Sequence, residues 1–183
     1  MPYLVCSSCA LPTYVVSEGA CPACGELLRG RGAPLGPRPT RTDLDRPVRA
    51  ELAIACHELE MDSALLGEIV GQREIVRWAA GEGEDWVGAS VPLDETICAR
   101  LLDGRIGGIV GDAAQEPALV GVPAVRDGVV GAYLGVTFLT GDARLYSLCC
   151  VAAERRPELG EEDLRFLQGM AAGIRSIVAA VPV

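Results

Sequence analysis

None of the sixteen basic residues in this 183-residue chain is a lysine, and histidine occurs once, at His57. With a single imidazole, any Ser-His-Asp or Cys-His couple would have to be built around His57. No run approaches the roughly 20 apolar residues of a membrane span. Met1-Pro2-Tyr3 opens no signal peptide, so a cytoplasmic protein is expected. No glycine-rich turn leads a strand into a helix in the way that cradles a phosphate. The carboxylate pairs Glu84-Asp85, Asp94-Glu95 and Glu161-Glu162 read as loop charge or as first-turn helix acids favoured by the dipole. No catalytic constellation emerges, and the expectation is a protein that is not an enzyme.

Cysteine, by contrast, is plentiful. Of eight, four lie in the first 24 residues as two C-x-x-C pairs, Cys6-Ser-Ser-Cys9 and Cys21-Pro-Ala-Cys24. A C-x-x-C turn lets two thiolates converge on one ion, and two such turns supply a closed tetrahedral site. Pro22 stiffens the second turn, and Gly25 permits a positive φ or a close backbone approach to the sulfurs. The eleven residues between the pairs allow a tight hairpin, with Tyr14-Val15-Val16 its β-prone part, but no core. So small a segment is stabilised by its metal rather than by burial. Residues 1–28 are therefore expected to form a zinc ribbon, with Zn²⁺ on Cys6, Cys9, Cys21 and Cys24. The same ligands also suit iron, and a dithiol redox pair is a third reading. Four cysteine ligands leave no open position, which favours structure over catalysis. Eight cysteines without an export signal also fit a reducing compartment.

The formal charge is −9, unevenly placed. Residues 29–41 hold Arg29, Arg31, Arg38 and Arg41 among Pro and Gly with no acid, so the remainder carries −9 less +4, or −13. A basic Pro/Gly stretch over 29–42 reads as a linker, able to span about 20 Å as a coil and about 40 Å as polyproline II. The acidic remainder repels nucleic acid, which favours a solvated spacer over a phosphate-binding arm.

In the body, 43–183, Asp43 is the expected cap of a helix over 43–61. Leu44, Val48, Leu52, Ala55 and Leu59 follow at spacings of 4, 4, 3 and 4. Two strands, 64–70 and 73–78, flank a Gly71-Gln72 turn. The Gly- and acid-rich stretch 81–90 is a loop holding Trp86. A helix over 94–103 starts at Asp94 and stops at Gly104. A short strand follows at 106–110, then an irregular region over 112–127. Residues 131–138 and 144–152 make a hairpin about Thr140-Gly141-Asp142. A last helix spans 161–180, with Leu164, Leu167, Ala171, Ile174 and Val178 at spacings of 3, 4, 3 and 4. This order indicates an α+β fold.

Several stretches carry a resemblance: Val91 through Arg105 (VPLDETICARLLDGR), Asp112 through Pro117 (DAAQEP), Gly131-Ala-Tyr-Leu-Gly-Val136, Leu148-Cys-Cys150, and Glu161 through Leu167 (EEDLRFL). Over roughly 43–180 the body resembles a GAF domain, of the subgroup often attached to cyclic-di-nucleotide signalling enzymes. The resemblance implies a six-stranded antiparallel sheet with helices on both faces. The first and last helices would cover one face; 94–103 and 107–127 would cover the other, above a pocket. The expected pocket residues are Trp78, Trp86, Ile97, Cys98, Leu101 and Tyr133. Tyr133 alternates with Gly131 and Gly135, a small-large-small wall. The Asn-Lys…Phe…Asp-Glu constellation of cyclic-nucleotide GAF domains is missing, which disfavours cGMP and cAMP. Cys98 is followed by Ala99 rather than His, so covalent bilin attachment is not expected. His57 lies away from the pocket, so a His-ligated haem is not expected either. Cys149 and Cys150 point to opposite faces of one strand, and they and Cys56 read as core.

The leading expectation is a non-catalytic sensory or regulatory protein. Its GAF body would bind a small ligand or a partner protein, and the ribbon would give an interaction surface. The heptad-like stripes of the terminal helices make a homodimer plausible. The alternative is a nucleic-acid-associated transcriptional regulator using the ribbon and the arginine linker. The third reading is a redox enzyme using Cys98.

Overall fold

The computed structural model describes residues 41–179, with side chains from Leu44 onward, and four short strands nearer the amino terminus. Arg41–Ala179 is one compact unit and the rest of the chain a second. In the amino-terminal unit, β1 (Tyr3–Val5) pairs antiparallel with β2 (Pro12–Tyr14), and β3 (Gly19–Ala20) with β4 (Leu27–Leu28). Val5 stands opposite Pro12, and Ala20 opposite Leu27, so each pair closes across one C-x-x-C segment. Among the described residues β2 pairs with β1 and β3 with β4, while the hairpin expected between the two cysteine pairs falls partly outside the described residues. Tyr14 finds its cross-strand partner locally, in Tyr3. Cys6, Cys9, Cys21 and Cys24 lie outside the described residues, as do Val15, Val16 and the linker arginines Arg29, Arg31 and Arg38.

The larger unit runs α1 (Arg41–Glu58), β5 (Ser63–Val70), β6 (Arg73–Gly81), β7 (Ser90–Pro92), α2 (Ile97–Leu102), β8 (Ile109–Val110), α3 (Pro123–Arg126), β9 (Ala132–Leu139), β10 (Leu145–Ala152) and α4 (Glu161–Val178). Six strands form one sheet in the order β7-β6-β5-β10-β9-β8, every neighbour antiparallel. This is the α+β arrangement the sequence implies. α1 and α4 pack on each other and on one face. All five members of the α1 stripe are buried, as are Leu167, Ala171, Ile174 and Val178 of α4. Burying each large aliphatic side chain contributes about 1.5–3 kcal/mol, so docking rather than propensity holds α1, which carries Pro47. Beneath lie Leu66, Trp78, Leu134, Tyr146 and Leu148. Arg144 ties the layers together. It donates to Tyr146 Oη at 3.1 Å and to the Val178 carbonyl at 3.1 Å, satisfying an acceptor in the last turn of α4.

Local starts and stops differ from the sequence reading in instructive ways. Helix α1 begins at Arg41, so Asp43 is not its cap. Residues Leu93–Glu95 form a 3₁₀ turn, and Thr96 caps α2 by accepting from Ala99 N at 3.2 Å. Asp94 and Thr96 are both good caps, and the 3₁₀ turn selects the second. Another 3₁₀ helix, Glu82–Trp86, occupies the expected loop.

The decisive irregularity is in β6. Leu66 pairs with Trp78 but Gly67 pairs with Val76, which makes Arg77 an extra residue in that strand. Its guanidinium donates to Glu68 Oε2 at 2.6 Å. Side chains alternate with period two, so a one-residue insertion moves everything beyond it to the other face. Glu74 and Val76 share one face, and Trp78 is turned onto the opposite one, against α1.

Candidate functional site

The face away from α1 and α4 forms the floor of a cavity of about 350 Å³. Leu65 and Gly67 of β5, Glu74 and Val76 of β6, Tyr133 of β9, and Cys149 and Val151 of β10 make that floor. Trp86, Ile97, Cys98, Val122 and Val130 close over it. Val129, 45% exposed, and the exposed Glu95 stand where the lining meets solvent.

Two glycines shape the floor. Gly67 is opposite Ser147, and Gly135 is opposite Cys149. A Cβ on Gly67 would sit 2.5 Å from Glu74 Oε1 and 2.7 Å from Ser147 Oγ. Its absence lets Glu74 reach across β5 and accept a hydrogen bond from Ser147 Oγ at 2.5 Å. Both residues are buried. A Cβ on Gly135 would overlap Tyr133 Oη and Cζ and stand 2.7 Å from Cε1. The Tyr133 ring therefore lies flat over Gly135, fully buried, with Oη 3.6 Å from Cys98 Sγ. The small-large-small pattern seen in the sequence has this meaning.

Three thiols, Cys98, Cys150 and Cys56, are shifted toward the protonated form. Cys98 is pushed well above its ordinary value by a hydrogen bond shared with Cys149 and by burial, with Glu74 nearby adding to the effect. Burial raises Tyr133 well above a usual phenol, reinforced by Cys98, Cys149 and Glu74. On the other face, burial drives Cys150 strongly upward, and Cys56 is raised for the same reason. Protonated thiols are poor nucleophiles.

No protein-family model matches this sequence, and the comparison with curated proteins gives no match. Solved structures do match. The GAF domain region of a putative membrane protein from Geobacter sulfurreducens PCA superposes with a TM-score of 0.60 at 20% identity, covering 77% of this chain and 97% of that one. The phycoerythrobilin-bound GAF domain from a cyanobacterial phytochrome gives 0.59 at 16%, covering 76% and 87%. A free methionine-R-sulfoxide reductase from Neisseria meningitidis, in complex with its substrate, gives 0.59 at 12%, covering 76% and 80%. The chain has the GAF fold. At these identities the likeness speaks for the fold alone, and a GAF fold carries pigment binding in one neighbour and turnover in another.

Of the six expected pocket residues, the GAF body brings Trp86, Ile97, Cys98 and Tyr133 to the cavity. Leu101 packs behind, against the same apolar cluster, without lining the space. Trp78 is elsewhere. The bulge at Arg77 turns it to the α1 face, where Nε1 donates to Asp45 Oδ1 at 2.8 Å. His57 is exposed on α1. Sequence reasoning missed Glu74, Ser147, Gly67 and Cys149 as members of one site. A signal was present for Glu74, an acid in phase with Val76 on a strand, although Trp78 obscured it. Ser147 and Cys149 alternate on β10, but which face they meet is a tertiary fact.

Among the described residues no group of three or more His, Cys, Asp or Glu can hold a metal. No helix among them is long and apolar enough to cross a membrane.

Proposed function

We propose that this protein is a sensory or regulatory module that acts by binding rather than by turnover. The GAF cavity receives a small molecule, and the amino-terminal cysteines hold a structural Zn²⁺. The observation that carries the first part is the cavity itself: about 350 Å³, apolar walls and a few convergent polar groups, the usual character of a ligand site. Protonated thiols support binding over nucleophilic catalysis. For zinc, the support is the donor set and its bracketing. Four cysteines fall in two segments, each closed at its base by an antiparallel strand pair. Cys6, Cys9, Cys21 and Cys24 would fill all four positions, so the ion would contribute folding energy and no chemistry. The terminal helices would pair two copies, on the side of the sheet opposite the cavity.

Native mass spectrometry of freshly purified protein tests these parts together. The expected species is a dimer with one Zn²⁺ per chain and a retained or exchangeable small molecule. A chain without stoichiometric metal, whose first thirty residues keep their hydrogen-exchange protection in chelator, would refute the ribbon. A monomer at tens of micromolar would refute the pairing.

Thiol redox chemistry has one observation in its favour, the second thiol that Cys149 supplies beside Cys98. Turnover of a free sulfoxide by wild type, lost in Cys98→Ser, would establish it over the binding reading.

A further inference from the structure

The charged groups that line the cavity, Glu74 and Glu95, are of one sign. Glu74 is 8% exposed and lines the space. Its Oε1 accepts from Ser147 Oγ, and no hydrogen-bond partner for Oε2 occurs among the described residues. The one buried side-chain polar atom among them that lacks a partner is Arg100 Nε, so Oε2 is not sealed away and faces open volume. No arginine or histidine lines the cavity, and its second carboxylate, Glu95, stands at the mouth. Arg126, near Glu95, is already paired with Asp127. Trp86 and Tyr133 add aromatic surface.

We propose that the cavity takes a small hydrophobic amine, with its ammonium or amidinium on Glu74 and its apolar body among Trp86, Ile97 and Val130. This rests on the reading of the cavity as a ligand site and adds the chemistry of the ligand. A buried carboxylate with an unused acceptor is costly when alone, and a cationic N–H donor is the group that compensates it. Aromatic faces favour a cation further. An anionic ligand meets two carboxylates and no countercharge, so nucleotides, phosphates and carboxylic acids are excluded. Size narrows the class. A cavity of about 150 Å³ accepts a single benzene, so about 350 Å³ suits a two-ring body.

Three probes of one shape test this on the full-length protein by isothermal titration at pH 7: 1-naphthylmethylamine, 1-naphthylmethanol and 1-naphthoate. The amine is expected to bind about tenfold or more tighter than the alcohol, the yield of one charge-assisted hydrogen bond, and naphthoate not to bind. In Glu74→Gln the amine and the alcohol should become equal, with the alcohol's affinity kept. In Ser147→Ala, which leaves the carboxylate, the amine preference should persist. Equal binding of amine and alcohol to wild type, or binding of naphthoate, overturns the proposal while leaving the cavity a ligand site. Retention of the amine preference in Glu74→Gln also overturns it. Failure of all three probes to bind refutes the ligand-site reading as well. The wild-type series decides the matter even if a variant does not fold.

Discussion

Replacing Gly135 with Ala tests how the floor of the cavity is built. The new Cβ would overlap Tyr133 Oη and Cζ, atoms of a ring that is itself fully buried. A stiff aromatic ring cannot yield by a few tenths of an ångström there, so it must leave its slot. Overpacking of this kind costs about 1–3 kcal/mol. Losing the contact with Cys98 adds somewhat less than a neutral hydrogen bond, about 0.5–1.5 kcal/mol. Against this, Ala in a strand recovers about 0.5–1 kcal/mol relative to Gly. The net expectation is about 1–3 kcal/mol of destabilisation, or roughly 1 M lower urea midpoint at m-values of about 1–3 kcal/mol/M. Both tryptophans of the chain, Trp78 and Trp86, lie in the GAF body, so their fluorescence follows its unfolding. The decisive control is the same change in a Tyr133→Val background. With the ring gone, Gly135→Ala should be neutral or stabilising, giving a coupling of about 2 kcal/mol. An equal cost in both backgrounds would show that Tyr133 does not lie over Gly135, and the described floor would be wrong.

Three further outcomes are expected. Trp78→Phe removes the bond to Asp45 and should lower urea stability by about 1–3 kcal/mol while leaving cavity affinity for any probe unchanged; a change in affinity would contradict the face assigned to Trp78. Thr96→Ala removes the α2 cap and should cost about 0.5–2 kcal/mol, measured in the same way, whereas Asp94→Ala should cost less; the reverse order would return the cap to Asp94. Finally, the unfolded thiols of Cys98 and Cys150 lose their protons near 9.0, and the folded ones hold them to higher pH. Between those values the native state binds more protons, so this stability is complete below about pH 9 and falls as pH rises beyond it. Urea midpoints from pH 7.5 to 10.5 should decline above pH 9, and Cys98→Ser should flatten that slope; an unchanged slope would mean the thiol is not perturbed.

Periodicity was enough for the parts of this protein whose environment repeats along the chain. The α1 stripe from Leu44 to Leu59 and the α4 stripe from Leu167 to Val178 are buried as their spacing requires. The hairpin β9-β10 and the turn at Gly71 are local, so turn chemistry beside alternating residues located them. Sequence alone also determined the soft-donor character of the first 24 residues, because C-x-x-C needs no partner from elsewhere. Tertiary structure decided the rest. Glu74 and Ser147 are 73 residues apart and meet because Gly67, on the strand between them, leaves them room. Cys98 and Cys149 come from a helix and a strand that share no local signal. One inserted residue, Arg77, moved Trp78 out of the cavity. Strand alternation has a period of two, so an insertion shows only once the neighbouring strand is in place to count it.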